Sequence, residues 1–272
     1  MSLTIDPNWA EDPSPFVDVL VSDIPAGTER FTVTRTVEGR AFKVRGMVDV
    51  LAAGGGTIRD HEAPFITPCT YQTEYFTGGL SSGFSTQQTT VLYGLEPGWA
   101  WFSDPLNPES AVKVRLVNGA AGTISRSTPG DFMDVPRRSV GFTIPGTRGG
   151  VQQVVLDCYT DTRADGLKFD ALFGGYDSDA LAIVCVRARP ETWLPPTLFA
   201  FVGSPSKRPV GTEGMELLWD LVGTETTPPA PAFVTPLLTY QHFTDFYATY
   251  AAFTAAYPSY LEASRDYTVR GN

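Results

Sequence analysis

The segment TYQTEYF at positions 70–76 decides the fold class of this 272-residue chain. Apolar and polar side chains alternate along it, and a period of two is the pattern of a half-buried β-strand. The segment FTVTR at 31–35 shows the same alternation, and Glu38-Gly39-Arg40 marks a tight turn after it. A helix would instead repeat its apolar residues every three or four positions. We therefore predict antiparallel strands joined by tight turns in this part of the chain.

Short apolar runs continue to about residue 225, and the 26 Gly and 22 Pro residues punctuate them. About seven strands between 16 and 95 have the spacing of an immunoglobulin- or fibronectin-III-like sandwich. We predict an all-β fold with two β-sandwich domains, 16–95 and 96–225, preceded by an extended arm at 1–15. The predicted core of the second domain contains Val114, Leu116, Phe142, Val154, Leu156, Ile183, Val184 and Phe201.

The C-terminal part of the chain has a different pattern. A Pro-rich stretch at 226–238 is predicted to be a stiff linker. After it, at 239–272, a ten-residue unit recurs as TYQHFTDFYA, TYAAFTAAYP and SYLEASRDYT. The Thr or Ser that opens each unit suits a helix N-cap, and the aromatic residues recur at helical spacing. We predict short helices in this aromatic tail, one of which Pro258 ends.

Aromatic side chains are the main candidates for an interaction surface. A short helix cannot bury so many rings on its own, so we predict that they pack against a partner, either the β body of the same chain or, as the favoured alternative, a neighbouring subunit. Trp9 stands alone in the N-terminal segment and could anchor a neighbour or pack on its own chain. The predicted interaction residues are Trp9, Tyr240, Phe243, Tyr247, Tyr250, Phe253, Tyr257 and Tyr260.

The charge of the chain excludes several classes of partner. The formal net charge is −10, and Arg137-Arg138 and Lys207-Arg208 are isolated basic pairs. Nucleic-acid binding needs a basic face that displaces counterions, so we predict none, and anionic membranes are disfavoured for the same reason. No run approaches the ~18 apolar residues of a membrane span, so we predict no membrane insertion.

The cysteines and the first residues indicate where the protein is made. Cys69, Cys158 and Cys185 are an odd, widely spaced set, which we interpret as buried thiols and not as a disulfide framework. The sequence MSLTIDPNWAEDPSP has neither the basic nor the apolar region of a secretory signal. We therefore expect synthesis in a reducing cytoplasm.

The residues that could carry catalysis are few. The two histidines, His61 and His242, belong to no recognisable hydrolase or metal motif. A series of acidic residues is interpreted as turn-forming, although a calcium loop or a glycosidase-like carboxylate pair stays an alternative. We predict no enzyme activity, no metal and no cofactor. The acidic series is Asp157, Asp161, Asp165, Asp170, Asp177 and Asp179.

The tandem Thr-Tyr-x-x-Phe…Tyr-Pro units after a Pro-rich linker resemble the C-terminal ends of minor tail proteins of actinobacterial siphophages. The segment WFSDPLNP at 101–108 and the N-terminal sandwich resemble the same family. The chain departs from that family in having His242 and Ala252 where acidic residues are common. The resemblance implies a structural virion protein at the distal tail tip or baseplate, made in the bacterial host cytoplasm.

The resemblance also implies partners. These are other copies of the chain in a ring, a trimer or a hexamer, together with neighbouring tail-tip and tail-tube proteins. The alternative function is a carbohydrate-binding module that contacts the host cell-wall glycan. In that case Trp99, Trp101 and Trp193 are candidates to stack on sugar rings.

Overall fold

The computed structural model describes residues 2–11, 13–52, 54–91, 94–134, 136–137, 139–174, 181–210, 216–230, 243–244, 246–247, 249–257 and 263. Strands dominate these residues, and the helices among them are short. The predicted all-β fold with a small helical tail is confirmed. In the part of the chain that is described, no helix has the length and apolar character needed to cross a membrane.

The first half of the chain forms two sheets around one core. One sheet has the order β1-β2-β6, and the other has the order β4-β3-β7-β8, with β5 also on β3. All of these pairs are antiparallel. The strands are β1 (Ser2–Asn8), β2 (Phe16–Ser22), β3 (Arg30–Val37), β4 (Arg40–Lys43), β5 (Val50–Leu51), β6 (Gly56–Asp60), β7 (Cys69–Thr77) and β8 (Leu80–Thr89).

The alternating segments behave as their pattern predicts. In β3, Phe31 and Val33 point into the core, and in β7 Tyr71 and Tyr75 do the same. The predicted N-terminal arm is extended, but most of it is strand β1, which pairs with β2 and buries Leu3 in the same core. This segment is therefore part of the first sheet.

The second half of the chain is built on a nine-stranded sheet. Its strands and helices, with those of an insertion and of the tail, are β9 (Trp99–Asp104), β10 (Asn107–Leu116), β11 (Ser125–Arg126), β12 (Gly130–Met133), β13 (Phe142–Pro145), β14 (Val151–Gln152), β15 (Val154–Val155), β16 (Cys158–Thr160), α1 (Arg163–Ala171), β17 (Ile183–Ala188), a 3-10 helix (Pro190–Thr192), β18 (Leu198–Phe201), β19 (Ser206–Val210), β20 (Glu216–Asp220), β21 (Val222–Glu225) and α2 (Tyr250–Ala256).

Strand pairing in this sheet runs round a closed barrel. β15 and β16 pair with β21 and β20 in one continuous register, and the Leu156 amide bridges the two pairings by donating to the Leu221 carbonyl at 2.9 Å. β21 also pairs with β18, which pairs with β17, then β9, then β10, and β10 returns to β16. A second β-sandwich with two facing sheets was predicted here, but the strands close on one another and leave few free edges.

Helix α1 closes one end of the barrel. Its Phe169 is fully buried and lies 5.3 Å from the Phe102 ring and 5.0 Å from the Trp219 ring. The Thr162 side chain caps the helix by accepting from the Asp165 amide. The prediction that this acidic stretch forms turns was therefore wrong for 163–171. The sequence of this segment has only a weak helical pattern, but the helix is stabilised because it buries the Phe169 ring against the barrel.

Most of the core predicted for the second domain is correct. Val114, Val154, Leu156 and Val184 are buried, and Leu116 and Ile183 are partly buried. The prediction was wrong for Phe201 and for Phe142, which are 48% and 51% exposed. Phe142 lies in β13, which forms a separate two-stranded sheet with β12 outside the barrel, and Phe201 is at the last position of β18.

Candidate functional site

Arginine side chains connect the sandwich to the barrel. Arg187 of β17 is buried and donates to the Pro15 and Ala63 carbonyls at 2.8 and 3.1 Å, while its guanidinium lies 4.5 Å from the centre of the Phe65 ring. Arg189 donates to the Leu95 carbonyl at 3.0 Å. Each bond joins a barrel strand or its end to the backbone of the first half, so the junction has a defined geometry.

A buried ion pair lies beside this junction. The Arg35 guanidinium donates to the Asp60 carboxylate, which also accepts from the Tyr71 hydroxyl at 2.8 Å and the Glu62 amide at 3.0 Å. The side chains of Arg35 and Asp60 are 0% and 2% exposed. Arg35 occupies a core position of β3, where the period-two pattern alone predicts an apolar side chain.

A second buried pair extends this network to the linker. Arg45 donates to the Glu62 carboxylate at 3.0 Å and to the carbonyls of Ala230 and Pro229 at 3.1 and 3.3 Å. Thr197 of the barrel donates to the Glu62 carbonyl at 2.8 Å. The start of the predicted linker is therefore held against the sandwich by Arg45, whose partner Glu62 also accepts a hydrogen bond from the barrel.

Burial and charge act in opposite directions on these groups. Burial alone would raise the pKa of the Asp60 carboxyl, but the adjacent Arg35 lowers that pKa below its usual value. Burial raises the pKa of Glu62, against the opposing effect of Arg45 and Arg35. Burial also lowers the pKa of Arg187 to about 10. The charged forms of these side chains are thus stabilised by one another and not by solvent.

The serine and histidine in this network are not a catalytic pair. The Ser14 Oγ lies 3.3 Å from His61 Nδ1, but both residues are buried, and Arg187 donates to the same Ser14 oxygen at 3.0 Å. Burial, together with Arg187, lowers the pKa of His61 to about 3, so the imidazole is a poor general base. We interpret Ser14 and His61 as structural groups of the junction.

The remaining chemical candidates also have structural roles. Cys69, Cys158 and Cys185 are buried free thiols, as predicted, and burial raises the pKa of Cys185 to about 12. Among the residues described, no group of His, Cys, Asp and Glu could hold a metal ion. Asp157 accepts from the Leu221 amide at 2.8 Å, and Asp170 pairs with Lys207. Asp177 and Asp179 lie outside the described residues.

A groove of about 640 Å³ opens where the sandwich meets the end of the barrel. Two of its cations are paired, Arg40 with Glu225 at 2.6 Å and Arg45 with Glu62 at 3.0 Å. Lys43 adds a further positive charge to this lining. The lining suits a hydroxyl-bearing or anionic group better than a metal cation, but it contains no set of nucleophile and general base.

The aromatic tail brings equivalent residues of successive repeat units together. The rings of Phe243 and Phe253 lie 5.1 Å apart, and the hydroxyls of Tyr247 and Tyr257 are 3.1 Å apart. Thr249 caps α2 as predicted, with its side chain accepting from the Ala252 amide. Phe253 is 7% exposed and Tyr250 is 55% exposed. The tail therefore buries part of its aromatic surface on itself. Tyr240 and Tyr260 lie outside the described residues.

The tryptophans proposed to bind glycan differ in exposure. Trp101 is buried in the sandwich core and cannot stack on a sugar. Trp99 is partly buried, with the Lys113 ammonium 5.5 Å from its ring centre. Trp193 is 84% exposed at a φ of 61°, a left-handed conformation that is uncommon for a bulky residue. Trp9, the predicted anchor near the N-terminus, is 57% exposed.

One surface was not predicted from the sequence. It is formed by residues 125–150, which we call the arm and which are distinct from the predicted N-terminal arm at 1–15. It contains strands β12 and β13, and all eight residues of these strands are exposed. Phe132, Met133, Phe142 and Ile144 are each between 47% and 64% exposed. The apolar run was interpreted as core because periodicity alone does not show whether a strand packs against anything.

Comparison with known protein families, with curated proteins and with solved structures finds no match to this chain.

Proposed function

We propose that this protein is a structural component of the distal tail of a long-tailed bacteriophage, where several copies assemble with one another and with neighbouring tail proteins. The observation that carries the proposal is the repeat-containing C-terminal segment of this chain, residues 239–272. Its repeat units pack with equivalent aromatic residues in contact, Phe243 on Phe253 and Tyr247 on Tyr257. Such arrays form by stacking of like units and present extended binding surfaces.

The body of the protein supports an assembly role. The Arg40–Glu225 ion pair and arginine-to-backbone bonds join the sandwich to the barrel. In the described part of the chain, the histidine, the cysteines and most of the acidic residues discussed above are engaged in packing or pairing. Rigid bodies with exposed docking segments are suited to repeated contacts in a particle, where modest interactions multiply.

Labelling of particles tests this proposal. A tag on the chain is detected with gold particles by electron microscopy on virions of the phage that encodes it. We expect label confined to the end of the tail that is distal to the capsid. Absence of label, together with absence of the chain from dissociated virions, would contradict the proposal.

The second candidate function is glycan binding, and the exposed Trp193 favours it. A bulky residue in the left-handed region costs conformational energy, and such strain is concentrated at functional sites. Purified host cell-wall glycan should then bind the wild-type chain and bind the Trp193→Ala variant at least about tenfold more weakly. Equal binding by the two chains, or no binding by either, argues against this function.

A further inference from the structure

The arm is a long ribbon that projects from the barrel. Its base pairs at Ser125↔Gln152, and its last paired position is Met133↔Phe142. Between these positions the Gly149 amide donates to the Ser127 carbonyl at 2.7 Å and the Gly146 amide to the Pro129 carbonyl at 2.6 Å, so the ribbon is continuous. At about 3.3 Å per residue, the ribbon is about 26 Å long.

The arm carries apolar side chains on both faces. Cross-strand partners share a face, so Met133 and Phe142 lie on one face and Phe132 lies on the other, beside Thr143. Nearly every described residue from 125 to 148 is exposed, which leaves these rings in water. An isolated two-stranded ribbon is marginally stable, and exposed apolar ribbons mark sites of contact.

Strand β12 of the arm has fewer of the features that protect other edges, with Asp131 as its one charged residue, whereas its partner β13 ends at Pro145. Among the described residues, strand β19 lies at an edge of the nine-stranded sheet and carries Lys207, Arg208 and Pro209, which discourage pairing with another chain. Strand β12 has no Lys, Arg or Pro, and its sequence is Gly-Asp-Phe-Met. The contrast indicates that contact is avoided at β19 and permitted at β12.

Charge identifies what the arm contacts. The arm contains four arginines, at 126, 137, 138 and 148, and two aspartates, at 131 and 134, so its formal charge is +2. The whole chain carries −10, which leaves −12 for the residues outside the arm. A basic apolar arm and an acidic body on the same chain are complementary between two copies.

We propose that the arm binds the acidic body of a second copy of this chain, which covers both faces of the ribbon and buries Phe142 on one face and Phe132 on the other. The identity of the occupant rests on the proposed function, in which several copies lie side by side. A contact between different surfaces of two identical chains repeats from copy to copy, and it either closes as a ring or continues as a filament.

Sedimentation of the full chain over a concentration series tests the contact. We expect oligomers that dissociate as salt is raised, because opposite charges attract the arm to the body. The double variant Phe132→Ser/Phe142→Ser should weaken association at least about tenfold, since exposed rings that become buried dominate such interfaces. The control Leu51→Ser/Leu80→Ser, which changes exposed residues of the sandwich, should associate as wild type does.

A mixing experiment distinguishes the possible occupants. A chain in which 130–145 is replaced by a short Gly linker keeps the acidic body, so wild-type oligomers should incorporate it as a terminal subunit. If wild type oligomerises but excludes this chain, arms pair with arms and the proposal is wrong. A wild type that stays monomeric at every concentration also overturns the proposal. If such a monomer is nevertheless found in virions, the arm contacts a different tail protein and only the proposed function survives.

Discussion

Two regions of the molecule differ in what they bury. One is the junction between the sandwich and the barrel, and the other is the arm that projects from the barrel. The junction and the ion pair beside it bury charges, and each guanidinium or carboxylate discussed above finds a partner within the chain, as Arg35 does with Asp60. The arm exposes apolar rings such as Phe132, for which the described residues supply little cover. The charged groups of the junction are paired within a single copy, whereas we propose that the arm is covered only by a partner. The first region should therefore determine stability and the second association.

Breaking the buried ion pair tests the first half of this comparison most strongly. Arg35→Met leaves the Asp60 carboxylate buried without its cation, which should lower the free energy of unfolding by about 3–5 kcal/mol in urea denaturation at pH 7. The matched control is Arg30→Met, because Arg30 pairs with Asp49 at 2.8 Å while the two side chains are 48% and 64% exposed. That change should cost less than about 1 kcal/mol.

The double variant Arg35→Met/Asp60→Leu should recover part of the loss, since no buried charge then lacks its partner. If Arg35→Met and Arg30→Met lower the free energy of unfolding equally, burial of the network does not determine its contribution, and the comparison with the arm fails.

Acid should destabilise the junction through His61. Its pKa is about 3 in the folded protein because of burial and Arg187, against an ordinary value of 6.5. The unfolded chain therefore takes up the proton first, so stability is lost as pH falls from 6.5 towards 3. The expected slope is about 1.4 kcal/mol per pH unit. Asp60 and Arg59 also face this imidazole, and Asp60, whose pKa is lowered, loses its own contribution only below its usual 3.8.

Urea denaturation of wild type and His61→Gln at pH 7, 6, 5 and 4.5 isolates this effect. The difference in slope between the two chains is assigned to His61, because the carboxylates are present in both. Glu62, whose pKa is raised, opposes the trend in both chains. Identical slopes would mean that the pKa of His61 is not lowered in the folded junction.

The fold class could be predicted from the sequence because period-two alternation reports burial directly. The segments around Tyr71 and Phe31 alternate and form half-buried strands. Closure of the barrel could not be predicted, because it depends on the continuous register of residues 154–160 with 217–223, which are far apart in the chain. Periodicity identifies strands, but it does not identify their neighbours.

The candidate site was predictable only in part. The caps and spacing of the tail predicted α2, and equivalent rings of two repeat units do meet. The junction was missed because Arg35 and Arg187 occupy positions that read as strand interior, and only tertiary contact shows that each is paired or hydrogen-bonded. Phe142 was assigned to the core for the complementary reason: an apolar strand residue gives no sign that its surroundings are solvent.

The tail is intermediate between the two regions, since it buries some rings on itself and exposes others. Phe253→Ala removes the ring that contacts Phe243, Tyr247 and Tyr257. We expect amide exchange in α2 to accelerate at least about tenfold, because loss of a buried aromatic ring costs a few kcal/mol, while the urea midpoint of the body stays unchanged. Tyr250→Ala, at a residue 55% exposed, should accelerate exchange much less. Equal acceleration would show that the tail has no core.

The smallest expected effect is the sharpest test of the comparison. Phe132→Ser in the arm removes a ring that is 64% exposed, so the free energy of unfolding of the monomer should change by less than about 0.5 kcal/mol. The free energy of unfolding should change this little even though Phe132→Ser removes the same aromatic ring as Phe253→Ala does. Urea denaturation at a concentration below the onset of association measures it. A loss comparable to that of Arg35→Met would mean that the arm packs on its own chain, and the division between stability at the junction and association at the arm would then be wrong.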